Sequence, residues 1–492
     1  MRAPGTGNGG RYRLLGAAGA TAAVAGGWAV GTLPARDPWG LWVPHGTAVT
    51  AAGYALAYGG LTVLVVAWWL YGRTGAGVRD SLVTLVWWAA PFVVAPPLYS
   101  ADVYSYIAQG AMVLEGHDVY DAGPSVLDPA GPGGDAAASV GGHWTDTPAP
   151  YGPFFLVLAR GVAWATGGTI VPAVLAMRLI ALAALALIAW ALPHLAREHG
   201  RSPGAALWLG ALNPLLLMHV AGGLHNDGLM IGLMLAGVVL ALRGRWVSGS
   251  VLIGLAMMVK TPAAVALLFV AVLVGRAAGG GLVRRVAKGL AGPGAVAGAV
   301  VVLMTLLGGT GFGWVGTQGV AGRIHTALSV SSDLGLGLGH LLRLLAGTDP
   351  DPVKAAVQNA GLAAAVAVIL LLARRSAAGR LEAAHGLGLG LVALVALSPM
   401  VQPWYLLWGT AVLAATAADG KVRDVLVVLS AALVYETQPS GSTPPYGFVL
   451  AGLTCVAGAL LLRREAAGQE KPPLLPGQRR AADRAAGLRT GV

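Results

Sequence analysis

Long apolar segments, separated by short polar stretches, repeat along almost the whole chain. Most have roughly the length, about 20 residues, that an α-helix needs to cross the hydrocarbon core of a bilayer. They contain much Gly and Ala, and small residues allow membrane helices to pack closely. The pattern therefore predicts an all-α fold, a polytopic transmembrane helical bundle of about 14 spans.

Basic residues set the orientation of this bundle, because loops rich in Lys and Arg stay in the cytoplasm. Arg11 and Arg13 precede the first segment, and the other basic connections fall on the same side, which places both termini in the cytoplasm. The predicted spans lie near 14–32, 47–71, 81–98, 171–193, 204–220, 228–242, 289–308, 355–373, 384–400, 404–418, 424–437 and 446–462, with two more inside 247–275.

Two segments need a separate interpretation. The stretch 247–275 is long for one helix, and Pro262 interrupts it, so we expect two helices with an outward-facing break. The segment 153–167 contains Arg160, and if it crossed the membrane, the basic loop at Arg197 would be outside. We therefore expect a helix that lies at the outer interface.

The chain divides into three parts on this pattern. Residues 1–80 form the cytoplasmic N-terminal end and two extra transmembrane helices, and 81–462 form the main transmembrane domain. That domain has a first outer loop at 99–170, which carries the interfacial helices, and a second at 309–354. The tail, 463–492, is basic and poor in apolar residues, and we expect it to be disordered in the cytoplasm.

Composition supports a membrane protein and excludes other classes. Apolar residues make up 56% and charged residues 11% of the chain, whereas soluble domains are about 25% charged. The net charge of +11 lies in short loops and the tail, where it sets orientation beside anionic lipid. We therefore expect the lipid bilayer as a partner and no nucleic acid. A single cysteine, Cys455, excludes an intrachain disulfide and a thiolate metal cluster.

The first outer loop is strongly acidic. It has no Lys or Arg between Arg79 and Arg160, which places it outside the cytoplasm. Aromatic residues alternate with the acids, and carboxylates beside aromatic rings suit the binding of a sugar or a polar lipid headgroup. The carboxylates are Asp102, Glu115, Asp118, Asp121, Asp128, Asp135 and Asp146, and the aromatics are Tyr104, Tyr106, Tyr120, Trp144 and Tyr151.

Three groups in this loop are candidates for chemistry. Asp102 directly follows a span, where a carboxylate could act as a general base towards a hydroxyl; a helix N-cap is the alternative. Asp118 and Tyr120 lie in a Gly- and Asp-rich segment that could also be a solvated turn. Trp144 and Tyr151 could bind a sugar or could anchor the chain at the interface.

Polar residues also occur at the outer ends of later spans. His225, Asn226 and Asp227 form one run, and ionisable groups at membrane depth are usually functional. Metal binding by His225 and Asp227 is an alternative, but no other ligand pattern supports it, so we expect no metal. Gln402, Trp404 and Tyr405 lie at another span end, where sugar stacking and interface anchoring predict the same residues.

The outer cations are Lys260, Arg323, His325 and Arg343. A phosphate leaving group needs such a partner, although ordinary loop charge is the alternative. Arg323 and His325 lie in a Gly-rich loop that could close over a headgroup. The sequence does not choose among these cations.

These motifs, in this order, resemble the polyprenol-phosphomannose-dependent α-1,6-mannosyltransferases of actinobacteria, which have a GT-C type fold. The resemblance covers about 80–462 and departs from the family where Val119 stands in place of an expected Pro. Two spans also precede the acidic loop, more than the simplest GT-C arrangement has. The matching segments are DVYSYIAQG from Asp102, GHDVYDAGP from Gly116, HWTDTPAPYGP from His143, NPLLLMHVAGGLHNDGLM from Asn213, GW at Gly313 and SPMVQPWYLLW from Ser398.

The resemblance implies a donor, an acceptor and a location. The donor would be polyprenyl-phosphate-mannose in the outer leaflet of the plasma membrane, the acceptor an α-1,6-mannan or lipoglycan core, and the reaction inverting, with no cofactor required. Asp102 matches the first-loop acid that such enzymes use as the base. Lys260, Arg323 or His325 would receive the phosphate. The remaining site residues would be Tyr104, Asp118, Tyr120, Trp144, Tyr151, His225, Asn226, Asp227, Gln402, Trp404 and Tyr405.

Two alternatives stay open. The same fold could transfer another lipid-linked sugar, such as arabinose, or act on a phosphatidylinositol mannoside. A lipid-linked sugar transporter would instead have ionisable groups near the middle of the membrane and internal symmetry, whereas the polar clusters here gather at the outer ends. The enzyme hypothesis requires Asp102, His225, Arg323 and Trp404 to share one extracytoplasmic pocket.

Overall fold

The computed structural model describes residues 8–418 and 420–469. Throughout this part of the chain the regular structure is helical, and it contains no β-strand. The predicted all-α fold is therefore confirmed. The predicted disordered tail lies mostly outside the described residues, although the last helix continues past the expected boundary at 463 and ends at Gln469.

The first half of the chain supplies the helices that surround the acidic loop. Short 3₁₀ turns at Ala90–Val94, Pro124–Val126 and Gly142–Trp144 connect some of them. The helices are α1 Asn8–Val30, α2 Thr47–Tyr71, α3 Val78–Ala89, α4 Asp102–Glu115, α5 Gly134–Ser139, α6 Pro153–Thr166, α7 Ile170–Glu198, α8 Pro203–Gly210, α9 Pro214–Leu216 with a π-helix over Leu217–Gly222, and α10 Asp227–Leu242.

The second half completes the bundle. Its 3₁₀ turns lie at Thr261–Ala263, Gly313–Gly319 and Pro403–Tyr405. The helices are α11 Trp246–Met257, α12 Ala264–Ala278, α13 Leu282–Gly308, α14 Val320–Arg323, α15 Val330–Ala346, α16 Pro350–Ala377, α17 Ala383–Leu397, α18 Leu406–Thr416, α19 Lys421–Leu433 and α20 Pro445–Gln469.

Helix length and composition identify a multi-pass membrane protein. Among the described residues, six helical segments are long and apolar enough to cross a bilayer: α2, α7, Thr261–Ala278, α13, α16 and Pro445–Ala466. The pair Pro203–Gly210 and Pro214–Gly222 gives a seventh if this bent pair is one span. Helices α6, α10, α11 and α17 are apolar but shorter.

Prolines lie where several helices end or bend. The expected break in 247–275 is confirmed: α11 ends at Met257 and the chain resumes as a helix at Thr261–Ala263. The helices Pro203–Gly210 and Pro214–Gly222 meet at an angle of 47°, and Asn213 and Pro214 lie at the break between them. The segment expected to span at 81–98 is shorter than predicted, because its α-helix ends at Ala89 and a 3₁₀ turn ends at Val94.

The second outer loop is more ordered than the sequence suggested. Within 309–354 the chain forms α14 and the 17-residue helix α15. Ser329 caps α15 by accepting from the Ser332 amide at 3.3 Å. A Cβ atom on Gly335 would lie 2.8 Å from the Cα of Lys354, so the glycines of α15 bring it against α16. These contacts explain a helix in a Gly-rich segment.

Glycines also join α1 to α2. A Cβ on Gly60 would lie 2.3 Å from the backbone nitrogen of Ala23, and one on Gly19 would lie 2.6 Å from that of Leu64. The two backbones therefore touch, as small residues in membrane helices permit. The two extra N-terminal helices thus form one closely packed pair.

We predict that Gly60→Leu destabilises the protein by roughly 1–3 kcal/mol, because the new side chain must separate α1 from α2. Gly59→Leu is the matched control, since no atom lies within 4 Å of a Cβ at Gly59. Each change replaces one glycine of α2 with leucine, so the two variants differ only in the packing around the new side chain. Thermal unfolding in detergent measures the effect, and equal midpoints for the two variants would contradict it.

Candidate functional site

The ends of several helices enclose a cavity of about 300 Å³. It lies where the start of α4, the break before α12 and the turn before α18 meet. Aromatic rings dominate its wall, with one carboxylate and one ammonium among the described lining residues. These are Asp102, Trp144, Pro150, Tyr151, Lys260, Thr261, Pro262, Thr317, Gln318, Val320, Leu362, Leu394, Ser398, Pro399, Met400, Gln402, Trp404, Tyr405 and Trp408.

Asp102 is the first residue of α4, and its carboxylate faces the cavity with 23% of the side chain exposed. Its Oδ2 atom lies 3.2 Å from Nδ1 of His225 and 3.4 Å from the hydroxyl of Tyr106. Ala101 occupies the cap position, so Asp102 does not serve as the N-cap. The carboxylate instead receives two side-chain donors and keeps an exposed face.

The surroundings keep this carboxylate ionised. Burial by itself would raise the pKa of Asp102, but the hydrogen bond and charge of His225, together with the charge of Lys260, outweigh it. The pKa of Asp102 therefore lies below the ordinary value of an aspartate. A group of this kind can accept a proton at neutral pH, as a general base must.

His225 is fully buried behind Asp102 and is held by stacking. Its ring centroid lies 3.7 Å from that of Trp404, with 26° between the planes. The His225 amide donates to the carbonyl oxygen of His219 at 3.1 Å, which closes the turn before α10. Ring and backbone are thus both restrained, and Nδ1 points at Asp102.

Two residues in strained backbone lead into this pair. Tyr99 has φ 67° and Leu224 has φ 56°, in the left-handed region that non-glycine residues rarely adopt. The Tyr99 amide donates to the Pro439 carbonyl at 2.8 Å. Such residues cost about 1–3 kcal/mol and persist where the surrounding structure enforces them, often at active sites.

Lys260 forms the cationic part of the wall. It lies at the break between α11 and α12, and its Nζ donates to Oδ2 of Asp227 at 2.7 Å. Trp408 donates from Nε1 to the other oxygen of Asp227, also at 2.7 Å. Asp227 is 1% and Lys260 14% exposed at the side chain. Burial favours neutral lysine, but Asp227 outweighs it, so the pKa of Lys260 is raised and the ammonium stays charged.

Aromatic rings complete the surroundings of the ammonium. The Lys260 nitrogen lies 4.9 Å from the ring centroid of Tyr405 and 6.0 Å from that of Tyr151, distances typical of cation–π contacts. Gln402 and Trp144 line the same cavity. The structure therefore brings Asp102, Trp144, Tyr151, Lys260, Gln402, Trp404 and Tyr405 together, with His225 and Asp227 directly behind them.

Other sequence candidates support the site without lining it. The Tyr104 hydroxyl donates to the Thr32 carbonyl at 2.6 Å, so it faces the end of α1. Tyr120 donates to the Tyr151 carbonyl at 3.0 Å, and Asp118 accepts from the Tyr120 amide at 2.9 Å in an Asx-type turn. Asn226 is buried, and its backbone N–H donates to the Tyr106 hydroxyl at 3.4 Å.

The structure does not place Arg323 or His325 in the cavity wall. Arg323 is exposed at the end of α14. His325 pairs through Nε2 with Oδ1 of Asp333 at 2.7 Å, and both side chains are nearly half exposed. Asp102 and Trp404 thus line the expected pocket and His225 lies directly behind Asp102, whereas Arg323 is not in its wall. Lys260 is the sole cation among the described lining residues.

Sequence reasoning missed two contributors. Tyr106 lies four residues after Asp102 on α4, and Trp408 lies four residues after Trp404, the spacing that places side chains on one helix face. This four-residue spacing is the sequence feature that could have identified Tyr106 and Trp408 as neighbours of the site. Among the described residues, no group of three or more His, Cys, Asp or Glu side chains is arranged to hold a metal ion. His225 and Asp227 have different partners, Asp102 and Lys260.

Comparisons with known proteins agree on one family. Residues 13–276 match the family described as alpha-(1->6)-mannopyranosyltransferase, N-terminal domain, and residues 331–464 match the MptB C-terminal domain. A probable alpha-(1->6)-mannopyranosyltransferase of Mycolicibacterium smegmatis is 36% identical over 459 residues, covering 85% of this chain and 81% of that protein. No solved structure matches.

Two further relatives show similar coverage. An alpha-(1->6)-mannopyranosyltransferase of Mycobacterium tuberculosis is 34% identical over 484 residues, covering 86% of this chain and 81% of that protein. Alpha-(1->6)-mannopyranosyltransferase B of Corynebacterium glutamicum is 33% identical over 472 residues, covering 89% of this chain and 78% of that protein. The similarity therefore includes both halves of the bundle.

We predict that Lys260→Met lowers the stability by about 3–5 kcal/mol, because it leaves the buried carboxylate of Asp227 without a counter-charge. The double variant Lys260→Met/Asp227→Asn should recover most of this loss, since Asn keeps an acceptor for Trp408. Thermal unfolding of both variants in detergent measures the difference. A double variant no more stable than the single one would show that the ion pair is not the cause.

Proposed function

The chain belongs to the alpha-(1->6)-mannopyranosyltransferase family, and from that membership we propose that it transfers mannose from polyprenyl-phosphate-mannose to an α-1,6-mannan acceptor. The acceptor would be a lipomannan or lipoglycan core on the outer face of the plasma membrane. The observation that carries the proposal is one cavity with a carboxylate, Asp102, and a cation, Lys260, between aromatic walls. Glycosyl transfer from a lipid phosphate needs these two groups and a surface for the sugar.

The proposed reaction has one chemical step. An acceptor hydroxyl attacks the anomeric carbon of mannose, and a new C–O bond forms as the bond from that carbon to the phosphate oxygen breaks. The proton of the hydroxyl passes to the carboxylate of Asp102. The polyprenyl phosphate leaves with the bonding electron pair, and attack opposite to the leaving group inverts the anomeric centre.

The neighbours of Asp102 suit it to this role. His225 and Tyr106 both approach Oδ2, which orients the carboxylate and leaves Oδ1 for the acceptor hydroxyl. The low pKa of Asp102 keeps it ionised before the reaction. An ionised carboxylate within hydrogen-bond reach of the acceptor hydroxyl can act as the general base.

Lys260 is the proposed partner of the leaving phosphate. An ammonium has three donors, and Asp227 takes one of them. Lys260 lines the cavity, and we propose that a remaining donor of its ammonium reaches the phosphate. Because Asp227 already offsets the charge of Lys260, we propose that Arg323 or His325 adds positive charge when the second outer loop closes over the donor. Phosphate is a good leaving group, so no metal or other cofactor is proposed.

The topology and fold type are part of the same proposal. The loop between Arg79 and Arg160 lacks Lys and Arg, which supports an extracytoplasmic cavity. The six long apolar helical segments, the bent pair and the four shorter apolar helices give eleven candidate spans among the described residues. From the apolar segments of the sequence we propose about 14 spans in a GT-C type arrangement. The aromatic wall formed by Trp144, Tyr151, Trp404 and Tyr405 would bind the mannose residues of donor and acceptor.

The nearest alternative keeps this chemistry and changes the substrate. The cavity walls would also accept another lipid-linked pentose or hexose, or a phosphatidylinositol mannoside as acceptor. Membranes containing the protein, supplied in parallel with labelled polyprenyl-phosphate-mannose and polyprenyl-phosphate-arabinose, distinguish the donors. Faster transfer of arabinose would replace the mannose assignment.

We predict that Asp102→Asn reduces mannose transfer by about 10²–10⁴-fold, the usual contribution of a general base. Asn has nearly the same size but cannot accept the proton. The assay uses membranes with labelled polyprenyl-phosphate-mannose and an α-1,6-mannoside acceptor. Asp121→Asn, an exposed carboxylate in the same loop, is the control and should keep its rate. Near-normal transfer by Asp102→Asn at equal expression would remove Asp102 from this role.

We also predict that Lys260→Met/Asp227→Asn lacks transfer activity, although it folds better than Lys260→Met. The double variant removes the unpaired buried charge but also the donor for the phosphate. Initial rates at several donor concentrations, normalised to folded protein, test this. If the double variant regains wild-type transfer, Lys260 only neutralises Asp227 and another cation receives the phosphate.

A further inference from the structure

A second concavity of about 510 Å³ lies on another part of the bundle. It is a groove between the last turns of α12, the first half of α13 and the end of α16, called the basal groove here. Its walls are apolar except for three arginines. The lining residues are Leu268, Ala271, Val272, Gly275, Arg276, Leu282, Arg285, Val286, Gly289, Leu290, Ala373, Arg374, Ala377 and Ala378.

The basal groove lies at the opposite end of α12 from the catalytic cavity. The turn that precedes this helix, at Thr261 and Pro262, lines the cavity, whereas its last turn, with Arg276, lines the groove. Helix α12 runs over Ala264–Ala278, about 20 Å at 1.5 Å per residue. The arginine end of the groove therefore lies about 20 Å from the catalytic cavity along α12, and the basic residues place that end at the cytoplasmic leaflet.

The three arginines keep much of their hydrogen-bonding capacity. Arg276 donates to the Ser376 carbonyl at 3.3 Å and Arg285 to the Ala377 carbonyl at 3.0 Å. A guanidinium has five N–H donors, so most remain free on each. In the described part of the chain, the Arg374 side chain makes no hydrogen bond or ion pair, and no carboxylate pairs with any of the three or lines the groove.

The floor of the groove is formed by close backbone contact. A Cβ on Gly289 would lie 2.4 Å from the Ala271 carbonyl oxygen, and one on Gly275 would lie 2.5 Å from that of Arg285. Above this floor, leucine and valine side chains of α12 and α13 form the walls. The result is an apolar channel that ends at a cluster of three positive charges.

We propose that the basal groove binds an anionic glycerophospholipid of the cytoplasmic leaflet. Its phosphate would lie among Arg276, Arg285 and Arg374, and one acyl chain would follow Leu268, Val272 and Leu290. Basic pockets between membrane helices on the cytoplasmic side recognise anionic headgroups in this way. Charge complementarity selects the ligand, because a zwitterionic lipid has no net charge and would bring its cationic headgroup next to the arginine cluster.

The test measures lipid binding to the delipidated full-length protein in detergent by native mass spectrometry. The probes are phosphatidylglycerol and phosphatidylcholine with identical acyl chains. We expect the wild type to bind phosphatidylglycerol at least about tenfold more tightly, and Arg276→Gln/Arg285→Gln/Arg374→Gln to lose this preference. Arg374→Gln alone should weaken it without affecting the fold, since Arg374 holds no other element.

The matched control removes the same charge from the same connections. Arg284→Gln/Lys288→Gln/Arg375→Gln changes three basic residues that do not line the groove, and it should keep the preference for phosphatidylglycerol. If both triple variants lost the preference for phosphatidylglycerol equally, the preference would come from general surface charge, and the proposal would be wrong. Equal binding of the two lipids by the wild type, or tighter binding of polyprenyl phosphate than of phosphatidylglycerol at the groove arginines, would also overturn it.

Discussion

The ion pair between Lys260 and Asp227 holds together the parts of the chain that form the cavity. Asp227 begins α10, Lys260 lies at the break before α12, and Trp408 on α18 donates to the same carboxylate. A buried charge is tolerated only when it is paired and hydrogen-bonded. Because each partner lies at the end or interruption of an apolar helix, the pair fixes three helix ends relative to one another.

The second carboxylate of the site has a different environment and therefore a different capability. Both oxygens of Asp227 are occupied and its side chain is almost fully buried, whereas Asp102 keeps an exposed face and receives its donors on one oxygen. Asp227 is therefore suited to hold the structure together, and Asp102 is suited to react. The stacked rings of His225 and Trp404 maintain this difference by holding the donor to Asp102 in one orientation.

Helix α12 has a different environment at each of its ends. At one end, the aromatic cavity combines a single carboxylate with a paired ammonium. At the other, three guanidinium groups border an apolar groove that has no carboxylate among its described lining residues. The difference follows the distribution of charge along the chain, since the acidic loop and the basic connections alternate between consecutive apolar segments.

The sequence alone determined the helical class, most helix positions, the break at Lys260 and the motifs around Asp102, His225 and Trp404, because apolar length and proline act locally. It did not determine that α15 is helical, that Tyr104 points away from the cavity or that Arg323 lies outside it. Asp102 and His225 are 123 residues apart in the sequence. Lys260 and Trp408, also far apart, both donate to the carboxylate of Asp227. Such pairings depend on how whole helices pack, which only the tertiary structure decides.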